Sequence, residues 1–203
     1  MIELLFATNN AHKVAEVQAA VGDRFRIIPL KEAGIQIDIP EPHLTLEENA
    51  LEKSMTIFNL TGKSCFSEDT GLEVEVLGGE PGVKSARYAG ENRSDSENIQ
   101  KLLHNLGGQP NRAARFRTIV SLLLDGKPYS FEGICNGTIR QAPAGTQGFG
   151  YDPVFQPAGS AKTFAEMTIE EKGQYSHRKM AISKLVAFLQ QVNLSLPNDK
   201  YKI

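Results

Sequence analysis

The chain has 203 residues, 40% of them hydrophobic and 23% charged, with a formal net charge of −2. Those values suit a soluble globular protein of one large domain or two small lobes. They exclude a chain that coats nucleic acid or an anionic membrane, which needs a basic excess, so any anion site is local.

Cys65 and Cys135 lie far apart, without metal-ligand spacing, and read as buried thiols in a reducing compartment. The opening MIELLFATNN is neither a secretory signal nor a membrane span, and the expected location is the cytoplasm.

Residues 2–7 form an apolar run of strand length. Thr8, Asn9 and Asn10 follow, and a helix pattern begins near Ala11 with Val14, Val17, Ala20 and Val21 on one face. Strand, small polar residues and a helix N-terminus can bind phosphate, and Lys13 adds a charge one turn in. A plain helix cap explains the same residues. Residues 25–29 are a second strand, and 33–42 are extended and turn-like because of their prolines. Glu41 at their end faces either a cleft or water. A helix follows from Leu44-Thr45 to a stop at Gly62, with Thr45 and Glu48 as a capping box. Its apolar run is Leu51, Met55, Phe58 and Leu60; charges such as Lys53 on such a helix are mostly solvated.

Residues 63–67 read as a short buried strand. Residues 72–77 read as a half-buried one, with Leu72, Val74 and Val76 opposite Glu73 and Glu75. Between them, Glu68, Asp69, Thr70 and Gly71 are expected on a sharp turn. Paired acids there suit a divalent ion and a phosphate, because hard cations take carboxylate oxygens; a solvated acidic turn is the plainer alternative. Residues 95–106 are helical, with Ile99, Leu102, Leu103 and Leu106 inward, and 107–111 form a turn that could border two lobes. Residues 113–124 and 127–139 read as long strands joined by Asp125-Gly126, a hairpin signal. Residues 143–157 are dense in Gly and Pro yet hold Phe149, Tyr151 and Phe155. Such a loop lets backbone approach a ligand while a ring stacks on it, or it is a structural Ω-loop. Residues 163–172 form a short helix or helical turn, and Ser176 can cap a final helix to about Val192. His177 and Arg178 in its first turn oppose the helix dipole, which hints at an anionic or electron-rich neighbour. Residues 193–203 are expected to fray.

FATNNAHK (6–13), TLEENALEK (45–53), SEDTGLEVEVLGGEPGVKSARYAG (67–90), ARFRT (114–118), Glu132-Gly133, PAGTQGFGYDPVF (143–155), FAEMTIEEK (164–172) and SHR (176–178) occur in that order. Together they resemble the inosine triphosphate pyrophosphatase family over nearly the whole chain. The resemblance implies an α/β fold: one domain with a long twisted mixed sheet, flanking helices and two lobes around a central cleft, the second lobe near residues 108–160. It implies a Mg2+-dependent nucleoside triphosphate pyrophosphatase. Such an enzyme hydrolyses ITP, dITP and XTP to the monophosphate and diphosphate and keeps these bases out of DNA and RNA. It implies a cytoplasmic homodimer that takes a small-molecule nucleotide and neither nucleic acid nor membrane.

The family's proton acceptor falls on Asp69, and its Mg2+ ligands on Glu41, Glu68 and Asp69. Its triphosphate grip falls on Thr8, Asn9, Asn10, Ala11, His12 and Lys13, with Lys53, Thr70 and Lys172. Its base pocket falls on Phe149, Gly150, Tyr151 and Asp152 and on His177 and Arg178. The family usually has Asp in place of Glu68, whose longer side chain can still bind Mg2+. In this reading Arg178 donates to the 6-oxo group of inosine and xanthine and meets adenine's amine donor to donor. Two rivals share these features: a pyrophosphatase for modified pyrimidine or methylated nucleotides, and a nucleotide sensor without turnover in which Glu68 marks an altered metal site.

Overall fold

In the computed structural model, which describes residues 2–194, strand β1 (Ile2–Phe6) leads through helix α1 (Ala11–Val21) to strand β2 (Phe25–Pro29). The two strands are parallel, with Ile2 opposite Phe25, as a helical crossover allows. Asn10 caps α1 by accepting the Lys13 amide at 3.1 Å. Helix α2 (Leu46–Thr61) is capped by Thr45 and stops at Gly62 in the left-handed conformation that glycine permits. Then come β3 (Cys65–Val74), β4 (Pro81–Gly82), α3 (Asp95–Leu106), β5 (Ala113–Leu124), β6 (Lys127–Ile139), β7 (Phe155–Pro157), α4 (Ile169–Gly173) and α5 (His177–Leu194).

The strand order is β2-β1-β3-β5-β6-β7, with β4 on β3. β3 runs parallel to β1, whereas β4 is antiparallel to β3 and β7 to β6, so the fold is α/β with a mixed sheet. Asp125 and Gly126 join β5 to β6 with φ of 51° and 76°, the geometry of the expected tight hairpin turn.

The chain forms two compact units. The first takes the described residues up to Asp69, then 118–133, then those from Arg178 on; the second takes 70–117 and 134–177. The chain passes from one to the other inside β3, β5 and β6 and after the first residue of α5. The second unit coincides with the expected lobe at 108–160 only in part, and the turn at 107–111 lies within it. Each unit has its own apolar core. In the first, Phe6, Val17, Phe66, Val120 and Ile182 belong to one cluster, and Ala7, Leu30, Ile57, Cys65 and Leu123 to another. Neighbours such as Cys65 and Phe66 fall in different clusters because a strand points successive side chains to opposite faces. In the second, Leu72, Leu102, Phe116, Tyr151, Phe155 and Phe164 pack together.

Several expectations change. Glu68 to Gly71 do not make a turn between two strands; they lie inside β3, which ends at Val74, and residues 75–77 form a tight helical turn. Gly71 has another role there: a Cβ would lie 2.7 Å from the Gly82 carbonyl oxygen, so the glycine admits the backbone of β4. Helix α2 buries Leu46, Asn49, Ala50, Lys53, Ser54 and Ile57, while Met55 and Leu60 are exposed. Polar residues occupy its inner face because they are bonded, as with Ser54 and Ser121 hydroxyls 2.8 Å apart. Helix α5 continues through Leu194, and the remainder of the expected frayed tail lies outside the described residues.

Gly71→Ala is expected to cost about 1–3 kcal/mol of stability through overpacking. Gly62→Ala, with nothing within 4 Å of its Cβ position, should cost about 1–2 kcal/mol from its left-handed backbone alone. Urea unfolding of both variants checks this; an undamaged Gly71→Ala protein would contradict the close approach.

Candidate functional site

The two-residue repeat of β3 separates its paired acids. Cys65, Ser67 and Asp69 face α2: Cys65 Sγ donates to the Ser54 carbonyl at 3.2 Å, and the Ser67 hydroxyl to that of Ala50. Phe66 and Glu68 face α1 and α5.

On the α2 side, Lys53 Nζ lies 2.6 Å from Glu41 Oε1 and 2.9 Å from Asp69 Oδ1. Lys53 is 6% exposed and Asp69 7%. Burial raises the Asp69 carboxyl above its ordinary value; Lys53 and Lys13 pull it down and Glu41 pushes it up, and the net shift is upward. Burial by itself would lower the Lys53 ammonium, but Asp69 and Glu41 outweigh it and hold it above its ordinary value. A carboxylate raised in this way is suited to accept a proton. Two carboxylates converging on one cationic nitrogen also form a hard-oxygen pair of the kind Mg2+ takes.

On the opposite face, Arg178 grips Glu68 with two prongs, Nε to Oε2 at 2.8 Å and Nη2 to Oε1 at 2.9 Å. Lys13 Nζ lies 3.0 Å from Glu68 Oε1, and Arg178 Nη1 donates to Glu16. Burial would raise the Glu68 carboxyl, but Arg178 and Lys13 hold it far below the usual carboxylate range. Burial would lower the Arg178 guanidinium, but Glu68 and Glu16 hold it above its usual value. Glu68, expected beside Asp69 and Glu41 as a metal ligand, thus points away from them with both oxygens on cations. Among the described residues no group of three His, Cys, Asp or Glu side chains gathers as a metal site. Glu16 was not singled out from the sequence; its position three residues after Lys13, on the same helical face, was the available signal.

The segment before α1 is ordered by its own side chains. Thr8 Oγ1 accepts the Asn10 amide at 3.2 Å and Asn9 Oδ1 the Lys31 amide at 2.9 Å. Asn9, Asn10, Ala11 and His12 are exposed and Thr8 is half-buried.

The second unit holds the Gly-aromatic loop. Asp152 Oδ2 accepts the Phe149 amide at 3.0 Å and the Lys172 ammonium at 2.6 Å. Lys172 Nζ also lies 5.3 Å from the ring centre of half-buried Phe149 and 5.0 Å from that of Phe164. A Cβ on Gly148 would come within 2.0 Å of Asp152 Oδ2, so only glycine lets the loop fold onto that carboxylate. Tyr151 is buried and donates to the Ser85 carbonyl at 2.9 Å, so it anchors the loop. His177 stacks on Phe116, with ring centres 4.7 Å apart. Thr70, the residue after Asp69, is half-buried at the start of this unit. Both cysteine thiols are pushed up to about 12 by burial and are not nucleophiles at neutral pH.

Because the folded Glu68 carboxyl sits below its unfolded value, its pairing stabilises the fold at neutral pH. That contribution is lost as pH falls through the carboxylate range. Glu68→Gln is therefore expected to lower the urea midpoint at neutral pH and to flatten its decline from about pH 6 to about pH 3. Parallel declines in parent and variant would contradict this.

The geometry can be set beside known proteins. A sequence model described as the Ham1 family matches residues 4–188. A dITP/XTP pyrophosphatase of Flavobacterium psychrophilum is 46% identical over 187 residues, covering 92% of this chain and 98% of that protein. One from Porphyromonas gingivalis is 47% identical over 190 residues, covering 93% and 98%. The solved structure of the Staphylococcus aureus Ham1 protein superposes with a TM-score of 0.84 at 40% identity, covering 94% of this chain and 99% of that one. On a match that spans both units, this chain belongs to the Ham1 family.

Proposed function

We propose that the chain is a nucleoside-triphosphate pyrophosphatase that hydrolyses the deaminated purine nucleotides ITP, dITP and XTP to the monophosphate and diphosphate, keeping these bases out of nucleic acids. The observation that carries the reading is the buried Asp69–Lys53 pair with half-buried Glu41 on the same ammonium, in a chain 46% identical to a protein named for dITP/XTP pyrophosphatase.

Asp69 takes the proton of a water whose oxygen bonds to the α-phosphorus; the α–β P–O bond breaks, and diphosphate leaves with the electron pair. Lys53 keeps Asp69 and Glu41 close. Glu41 and Asp69 are the residues that would hold Mg2+, which would supply charge neutralisation to phosphate oxygens. Glu68 is left out of that set because it clamps Arg178 and Lys13. The phosphates are assigned to Thr8, Asn9, Asn10, Ala11, His12 and Lys13 at the N-terminus of α1, where amides and the helix dipole favour anions, and to Thr70.

The base is assigned to Phe149, Gly150, Tyr151, Asp152, His177 and Arg178. Phe149 offers a ring face. Arg178, fixed by Glu68 and Glu16, is a pre-oriented donor for the 6-oxo group that inosine and xanthine carry and adenine lacks. Lys172 orders this loop through Asp152 and Phe149. Among the described residues no helix is long and apolar enough to cross a membrane. A cytoplasmic homodimer acting on free nucleotides, and not on nucleic acid, belongs to the same proposal.

Diphosphate release from ITP, XTP, ATP and GTP, with Mg2+ and with EDTA, is expected to show metal-dependent turnover of the first two alone. ITP binding without release would replace catalysis by sensing. Asp69→Asn should lower kcat by about 10²-fold or more with folding intact. Glu41→Gln should raise the Mg2+ needed for half-maximal rate about tenfold or more, while Glu68→Gln leaves it in place. A raised requirement in the Glu68 variant would return Glu68 to the metal.

A further inference from the structure

One face of α3 is polar and bonds to loops. Asp95, Asn98, Lys101 and Asn105 recur every three or four residues, the spacing of a single helical face. Asn98 accepts the Ala89 amide at 2.7 Å and donates to the Ala86 carbonyl at 3.1 Å. Lys101 Nζ donates to the Tyr88 carbonyl at 2.5 Å and lies 4.6 Å from the centre of that ring. Asn105 donates to the Tyr88 hydroxyl at 2.8 Å. These three bind the segment 86–89.

Asp95 reaches a different loop: its Oδ2 accepts the Gly150 amide at 2.6 Å. The two loops are joined in turn, since the Tyr151 hydroxyl donates to the Ser85 carbonyl at 2.9 Å. Ser85 is itself fixed, its hydroxyl accepting the Leu72 amide at 2.8 Å and donating to the Gly82 carbonyl at 2.6 Å. Hydrogen bonds and short backbone runs thus close a circuit from α3 to Gly150 and Tyr151, to Ser85 and Ala86, and back to α3 through Asn98. Within it, the consecutive amides of Phe149 and Gly150 each rest on a carboxylate, Asp152 for the first and Asp95 for the second. Two successive amides with fixed acceptors set the backbone that carries the Phe149 ring.

We propose that Asp95 is a positioning residue for base recognition: by holding the Gly150 amide it sets the Phe149–Asp152 loop in the form that receives the purine. This rests on the assignment of that loop to the base. Asp95 is exposed and sits in the first turn of α3, where any acid favours the helix dipole. Glu97 provides the same dipole interaction from the same first turn, two residues on and off the face that meets the loop, so Glu97→Ala isolates that effect.

The test is steady-state kinetics with ITP, the Ki of inorganic tripolyphosphate as a probe without a base, and amide hydrogen exchange over residues 146–153. Asp95→Ala is expected to raise KM for ITP about tenfold with kcat little changed, the effect of losing a charge-assisted hydrogen bond. The tripolyphosphate Ki should stay the same and exchange over the loop should quicken. Asp95→Asn, which keeps an acceptor oxygen, should recover most of the affinity, and Glu97→Ala should behave as the parent. An unchanged KM in Asp95→Ala overturns the proposal, as does a rise in KM matched by an equal rise in the tripolyphosphate Ki. Phe149→Ala separates the layers: if it raises KM while Asp95→Ala does not, only Asp95 is misassigned; if it has no effect, the base assignment falls and this inference with it.

Discussion

Two adjacent carboxylates are buried in β3, and a cation from a different helix reaches each of them. Removing a carboxylate from water carries a large desolvation cost, offset when an opposite charge and hydrogen bonds replace the solvent. Lys53 comes from α2 to Asp69, while Arg178 from α5 and Lys13 from α1 meet Glu68 on the reverse face. Three helices are thereby tied to one strand by charge as well as by apolar packing. Such pairs do more for geometry than for stability, since a well-packed apolar set can be equally stable. Their effect is to leave each ionised side chain a single well-defined partner set.

The second unit solves a related problem without a sheet ladder. A loop rich in glycine is entropically costly to order. Here it is held by Asp152, Lys172, the Tyr151 hydroxyl and Asp95, each acting on a backbone group or on another of the set. The aromatic ring of Phe149 stays half-buried at its edge, while Tyr151 and Phe155 go into the core. Order comes from the buried members, leaving the remaining ring for contact.

Much of the fold was legible in local signals. β2, β5, β6 and α3 match their expected limits, because period-two or helical patterning and the Asp125-Gly126 turn act over a few residues. β3 was not legible as one strand: Glu-Asp-Thr-Gly has turn composition, and what keeps it extended lies far along the chain. Arg178 is 110 residues from Glu68, and Gly82 explains Gly71. The inner face of α2 was misjudged for the same reason, since Lys53, Asn49 and Ser54 are polar residues made buriable by remote partners. Motif order marked the positions worth examining. It did not show which carboxylate faces which cation, because that follows from strand parity, and parity was hidden while the strand was read as a turn.

The interleaving of the two units bears on how the chain is made. Every residue of the second unit precedes Arg178, so all of it has been synthesised before the α5 residues that belong to the first unit. The first unit contains β1 and α1, yet its core includes Ala181, Ile182, Leu185 and Leu189 of α5. On the ribosome, the unit that holds β1 is therefore completed only after the other unit has been made. Arg178 arrives at the opening of that final helix, so a nascent or truncated chain that lacks it has Glu68 without its arginine and an open apolar surface beside it. Exposed apolar surface of that kind makes a chain prone to aggregate, so the first unit is complete only once α5 has packed into its core.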